Sequence, residues 1–330
     1  MKENNKWHLR VTILPQCNFR CRYCNPTGVY QKAKLLTIEE ILEIVKASVT
    51  NGIKRVHWTG GEPCLADVVN LFTESKKLGM VNQIMTTNGS LKIDQIKKMK
   101  ESGLDRVNIS LDTLCAETNK NITGMDMFEN TLKWINTATM VFEQPTKMNI
   151  VPMRDNIDEL PKFIEFAQRF KGKLMLKFIE LCPNNPAFYG NQIQDFFVGR
   201  EEIIHRLLKI SKPLQLTTGV GDNPNAEYYE IGNTGVVVIL ITMPSLNFKC
   251  GLSACHKMRI SPYGLVGSCI QQKGVNLMGA SHENKVQIIK ERMNIRESLS
   301  DTPPVERQHR RNDYGVWRFG KLDSEECAKC

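Results

Sequence analysis

The sequence predicts an α/β protein whose sheet is built from parallel βα units, a barrel either complete or partial. Three observations predict it. Short apolar runs alternate with amphipathic stretches from Trp7 to about Lys212. Helix caps and stops punctuate the stretches, and the chemically unusual residues recur at the carboxyl ends of successive runs. Such alternation belongs to parallel sheets rather than to sandwiches.

Strands are expected at 8–14, 55–59, 83–87, 106–111, 148–152 and 174–180. Helices are expected between them at 37–51, 66–78, 92–102, 127–139 and 157–170. The first helix opens on a capping box, Thr37-Ile-Glu-Glu40, and stops at Gly52, while the third stops at Gly103. Cys17 follows the first strand, Gly60-Gly61-Glu62-Pro63 the second and Thr87-Asn88-Gly89 the third. Ser110-Leu111-Asp112 closes the fourth and Glu180 the sixth. Chemistry in parallel barrels gathers at this end of the strands. Residues 1–212 therefore read as a core barrel. From 213 the pattern changes to a stretch rich in Thr, Gly, Asn and Asp, an apolar run at 235–243, and cysteine-bearing segments. Residues 213–330 are expected to form a smaller second module.

The 330 residues are 41% hydrophobic and 24% charged, ordinary for a globular protein. No apolar run approaches the roughly 18 residues of a membrane span, and the start MKENNKWHLR lacks the apolar core of a secretory signal. The expectation is cytoplasmic. The net charge of +9 comes from scattered basic residues, which fit an anionic substrate or a plain solvated basic surface better than nucleic acid. The 11 cysteines cluster at 17/21/24, 250/255/269 and 327/330, with 64, 115 and 182 single. Clustered thiols in a reducing compartment point to metal rather than to disulfides.

Cys17, Cys21 and Cys24 form a C-x3-C-x2-C loop. Three thiolates can hold three irons of a [4Fe–4S] cluster and leave the fourth open to a ligand. A zinc site would want a fourth Cys or His, and the nearest upstream histidine, His8, lies in a strand body. No Walker loop, Rossmann fingerprint or Ser–His–Asp set competes.

With Tyr23 before the last cysteine, this loop resembles the signature of the radical S-adenosylmethionine (SAM) superfamily. The resemblance implies a partial (β/α)6 TIM-like barrel of the radical SAM type, with a smaller C-terminal iron–sulfur module. It also implies SAM chelated at the open iron and cleaved to a 5′-deoxyadenosyl radical that abstracts hydrogen from substrate. Cys17, Cys21 and Cys24 would be the catalytic cluster ligands. Tyr23, Gly60, Gly61, Glu62, Ser110 and Cys182 would contact SAM. The stretches LRVTILPQCNFRCRYC, TGGEP, TTNGSL, GLDRVNISLDTL, KMNIV and KFIELCP are similar to the GTP 3′,8-cyclase (MoaA) family of molybdenum-cofactor synthesis. That family implies basic residues on a triphosphate, here Arg10, Lys147 and Arg259, with Lys257, Lys177 and His57 standing where arginine is usual, and with Thr87 beside them. A second [4Fe–4S] cluster would use Cys250, Cys255 and Cys269. A reductant such as flavodoxin or ferredoxin would be the protein partner.

Two features depart from that family. Cys250 and Cys255 are spaced C-x4-C instead of C-x2-C, and the chain ends Cys327-Ala-Lys-Cys330 where the family ends in a Gly-Gly pair. Cys327 and Cys330 would close the second cluster completely. The alternative is therefore a radical SAM dehydrogenase, epimerase or peptide-modifying enzyme with a fully Cys-ligated auxiliary cluster.

Overall fold

The computed structural model describes residues 6–24, 34–181, 193–210, 214–216, 226–241, 256–268 and 274–298. Its strands are β1 (His8–Thr12), β2 (Arg55–Thr59), β3 (Asn82–Thr87), β4 (Arg106–Ser110), β5 (Thr146–Ile150) and β6 (Leu174–Ile179), followed by β7 (Leu214–Leu216), β8 (Ala226–Ile231), β9 (Val237–Ile241), β10 (Lys257–Ile260), β11 (Leu265–Gly267) and β12 (Val275–Asn276). Its helices are α1 (Ile38–Thr50), α2 (Val68–Lys77), α3 (Ile96–Glu101), α4 (Ala116–Thr123), α5 (Phe128–Val141), α6 (Leu160–Gln168), α7 (Ile193–Phe196), α8 (Arg200–Ile210) and α9 (His282–Ser298). The chain forms two compact units. Met1–Cys17, Pro26–Gln83 and Leu252–Cys330 make the first, Asn18–Asn25 and Ile84–Gly251 the second.

In the first unit β1 lies between two parallel neighbours, β10 and β2, and β11 and β12 continue antiparallel beyond β10. Successive side chains of a strand point to opposite faces. One face carries Leu9, Val11, Val56, Trp58, Met258 and Ile260, all buried. Trp58 marks it as the helix-covered side, since its ring centroid stands 6.2 Å from that of Phe72 on α2. The indole N–H of Trp58 donates to Gln83 at 3.0 Å, so the large apolar ring is buried without stranding its donor. The expected capping box opens α1. Glu40 N–H donates to Thr37 Oγ1 at 3.2 Å, and Thr37 N–H donates back to the Glu40 carboxylate at 2.9 Å.

In the second unit the strand order is β3-β4-β5-β6-β9-β8-β7. The pairs from β3 to β9 are parallel, and β8 and β7 follow antiparallel. Strands beyond residue 213 join the sheets of both units. β9 is a parallel partner of β6, and β10 is a parallel partner of β1. The physical reason is visible in β9. Val238, Ile239 and Leu240 are all buried, and a strand apolar on both faces finds its place inside a parallel sheet. Among the described residues no helix is long and apolar enough to cross a membrane.

Candidate functional site

The first unit fixes the approach to Cys17. Beyond the ends of β1 and β2 the ladder continues as backbone bonds: Ile13 N–H to Thr59 O at 2.8 Å, Gly61 N–H to Leu14 O at 2.8 Å, and Glu62 N–H to Gln16 O at 2.8 Å. The Gly60-Gly61 pair is required by this contact. A Cβ on Gly60 would stand 2.7 Å from Leu14 O, and one on Gly61 only 1.9 Å from Gln16 O. The glycines therefore admit the backbone that delivers the first cysteine. Glu62 is fully buried, and its carboxylate accepts from Cys64 N–H at 3.0 Å, capping the short turn at Pro63–Leu65.

The second unit holds the rest of the loop. Arg20 N–H donates to Thr123 O at 2.8 Å and Arg22 N–H to Ile122 O at 3.0 Å, tying the loop to the end of α4. That helix stops at Gly124, whose φ of 70° suits glycine. The Arg22 guanidinium pairs with Asp155 and stands 4.4 Å from the Phe196 ring centroid. Cys24 N–H donates to Cys21 O at 2.9 Å. Tyr23 Oη donates to Asp112 Oδ2 at 2.6 Å, and Asp112 Oδ1 accepts from Val151 N–H at 2.8 Å. Burial pushes the Asp112 carboxyl up to about 6, against the lowering pull of the Tyr23 and Val151 bonds and of Arg22. Tyr23 is pushed up as well, by burial and by the Asp112 charge, which keeps its phenol protonated as the donor.

A cationic row crosses the polar face of the first unit. Arg10 is in register with Arg259 on β10 and with His57 on β2, so all three leave the same face side by side. One step along, His8 is in register with Lys257 on that face. Burial and the neighbouring Arg259 charge lower the Arg10 pKa to about 9.

On the polar face of the second unit β4 carries Arg106, Asn108 and Ser110, and lysines follow on the next two strands. Asn108 is in register with Lys147, and Ser110 with Asn149, which is itself in register with Lys177. Lys147 Nζ lies 6.0 Å from the Tyr228 ring centroid. Thr87 shares the opposite face with buried Met85, Val107 and Ile109, and its hydroxyl accepts from Gly89 N–H at 3.0 Å. Thr86 stands on the polar face instead, 3.4 Å from Asn108 Nδ2. Asn108, Asn149 and Thr86 were not singled out from the sequence. The signal that finds them is period-two alternation, read as polar residues on the face opposite Val107, Ile109 and Met148.

Cys17 ends the first unit while Cys21 and Cys24 belong to the second. Among the described residues no three His, Cys, Asp or Glu side chains are grouped as a metal site. The donor set fits an iron–sulfur cluster by its chemistry. It offers three thiols, two half-buried and one exposed, on a loop whose backbone is bonded before and between them. Cys182, Cys250, Cys255, Cys269, Cys327 and Cys330 lie outside the described residues.

Solved structures share the fold. SuiB of Streptococcus suis bound to S-adenosylmethionine aligns with a TM-score of 0.60 at 15% identity, over 89% of this chain and 68% of that one. The anSMEcpe structure with bound AdoMet aligns with a TM-score of 0.60 at 14% identity, over 90% and 84%. The likeness shows an α/β fold of the partial TIM-barrel type. The radical SAM superfamily model matches residues 11–167. The GTP 3′,8-cyclase of Desulforamulus reducens is 34% identical over 275 residues, 81% of this chain and 82% of that protein. The GTP 3′,8-cyclase of Clostridium perfringens strain SM101 is 34% identical over 298 residues, 86% and 88% of the two chains. Sequence, fold and the thiol loop agree: the chain belongs to the GTP 3′,8-cyclase family of the radical SAM superfamily, enzymes that use SAM and a [4Fe–4S] cluster.

Proposed function

We propose that this chain acts on GTP, or a closely similar purine nucleoside triphosphate, and joins C3′ to C8. When bound, the cluster supplies the electron that splits SAM into methionine and a 5′-deoxyadenosyl radical. The chain's own residues do the rest. By resemblance Cys17, Cys21 and Cys24 are the cluster ligands, and Tyr23, Gly60, Gly61, Glu62, Ser110 and Cys182 the SAM contacts. Arg10, His57, Lys257 and Arg259 take the triphosphate. The carrying observation is the row Arg259–Arg10–His57, in which two guanidinium groups share one sheet face. A polyanion converts their mutual repulsion into charge-assisted hydrogen bonds.

A second cluster on Cys250, Cys255 and Cys269, with Cys327 and Cys330 as further ligands, belongs to the same reading. So do a reducing, cytoplasmic setting and a flavodoxin or ferredoxin as electron donor. The test is anaerobic incubation of the reduced, cluster-reconstituted protein with SAM, with and without GTP. Faster formation of 5′-deoxyadenosine with GTP supports the proposal. An equal rate without it refutes the assignment.

A further inference from the structure

The residue after Cys17 sits in a closed ring of side-chain hydrogen bonds, all within the second unit. Asn18 Nδ2 donates to Ser90 Oγ at 2.9 Å, Ser90 Oγ donates to Asn88 Oδ1 at 2.7 Å, and Asn88 Nδ2 donates to Asn18 Oδ1 at 2.9 Å. Each side chain gives one bond and takes one, and Asn88 and Ser90 are buried. Bonds arranged head to tail in a dry setting polarise one another and gain strength together.

The ring is anchored on its far side. Thr131 Oγ1 donates to Asn88 O at 3.0 Å, Asn130 Nδ2 to Ser90 O at 3.3 Å, and Trp134 Nε1 to Leu91 O at 2.7 Å. All three donors lie on α5, so that helix fixes the segment after β3. Gly89 between the two ring members has a φ of 69°, and a Cβ there would stand 3.0 Å from Ile109 and 3.2 Å from Trp134. Ordering a loop costs backbone entropy, and bonds to a packed helix offset that cost. The ring passes the rigidity of α5 to Asn18, one peptide bond from a cluster ligand.

We propose that the Asn18–Ser90–Asn88 ring is a positioning device that holds the cysteine loop in its ligating conformation before iron arrives, and so governs how firmly the cluster is retained. Asn18 acts through Cys17, much as outer partners orient the ligands of a metal site. The proposal involves no substrate, so it stands or falls separately from the GTP reading.

The test compares Ser90→Ala, Asn18→Asp, Ser90→Thr and Asn136→Ala, the last removing a side-chain bond made within α5 to Leu132 O. In apo protein, amide hydrogen exchange is followed across residues 17–24. In reconstituted protein, iron release to a chelator and the EPR spectrum of the reduced cluster are recorded without nucleotide. Ser90→Ala and Asn18→Asp are expected to speed loop exchange and to raise iron loss by about 10–100-fold, with an altered EPR signal. Ser90→Thr, which keeps the hydroxyl, and Asn136→Ala are expected to stay near wild type. Wild-type iron retention and spectrum in both ring-breaking variants would overturn the proposal. So would failure of both variants to fold as apo protein, which would make the ring a general support of the fold.

Discussion

Tyr23 and Asp112 are joined by a 2.6 Å hydrogen bond, phenol to carboxylate, linking a residue between two cluster cysteines to the end of β4. The same carboxylate accepts from Val151 N–H, and the Asp112 carbonyl accepts from Asn156 Nδ2 at 2.6 Å. One buried acid thus connects the cysteine loop to the loops after two neighbouring strands.

A pH dependence follows from that acid. Its folded pKa is raised from 3.8 to about 6 by burial, so the folded state holds the proton more firmly than the unfolded chain does. The associated stability is complete below about pH 4 and is lost as pH rises through about 6. Melting of the apo protein across this window is expected to show that slope, and Asp112→Asn to flatten it. Superimposable pH profiles of the two proteins would rule out Asp112 as its source.

Gly61→Ala is expected to be the most damaging single methyl group at this end of the sheet. Its Cβ would stand 1.9 Å from the Gln16 carbonyl oxygen, against backbone that cannot rotate away. Overpacking costs about 1–3 kcal/mol where neighbours can adjust, and here the strand leading to Cys17 must move. The variant is expected to melt lower and to bind iron poorly, while Gly172→Ala, with nothing within 4 Å but a φ of 82°, is expected to leave iron content intact.

Arg259→Gln removes one of two neighbouring guanidinium groups on the face proposed to take the triphosphate. Inorganic tripolyphosphate should raise the wild-type melting temperature by binding the native state. In the variant that rise should shrink, with affinity weaker by about tenfold or more, the scale of 1.4 kcal/mol. An undiminished response to tripolyphosphate in the variant would contradict the proposed anion seat.

Much of this was legible in the sequence. The first six strands fall where alternation placed them, because each apolar run is bounded by a turn or a helix cap. Thr37 and Glu40 form the capping box their spacing announced. The strand β10 was not foreseen, for Lys257-Met-Arg-Ile260 is short and half charged, and only its distant partner β1 gives it a place. The helix α4 lacked a side-chain N-cap bond at Cys115 to announce it. Of the site, residue identities were readable but not their partners. Asn18, Asn88 and Ser90 are common polar letters until the fold closes them into a ring, and the reason for Gly61 proved to be the backbone of Gln16.

The central claim is radical chemistry begun at C3′ of a bound purine nucleoside triphosphate. The most direct measurement uses GTP carrying deuterium at C3′, with SAM and the reduced protein, and analyses the 5′-deoxyadenosine by mass spectrometry. Joining C3′ to C8 requires that hydrogen to leave, so one deuterium is expected in the 5′-deoxyadenosine formed. Unlabelled 5′-deoxyadenosine, formed at the rate seen without GTP, would contradict the account.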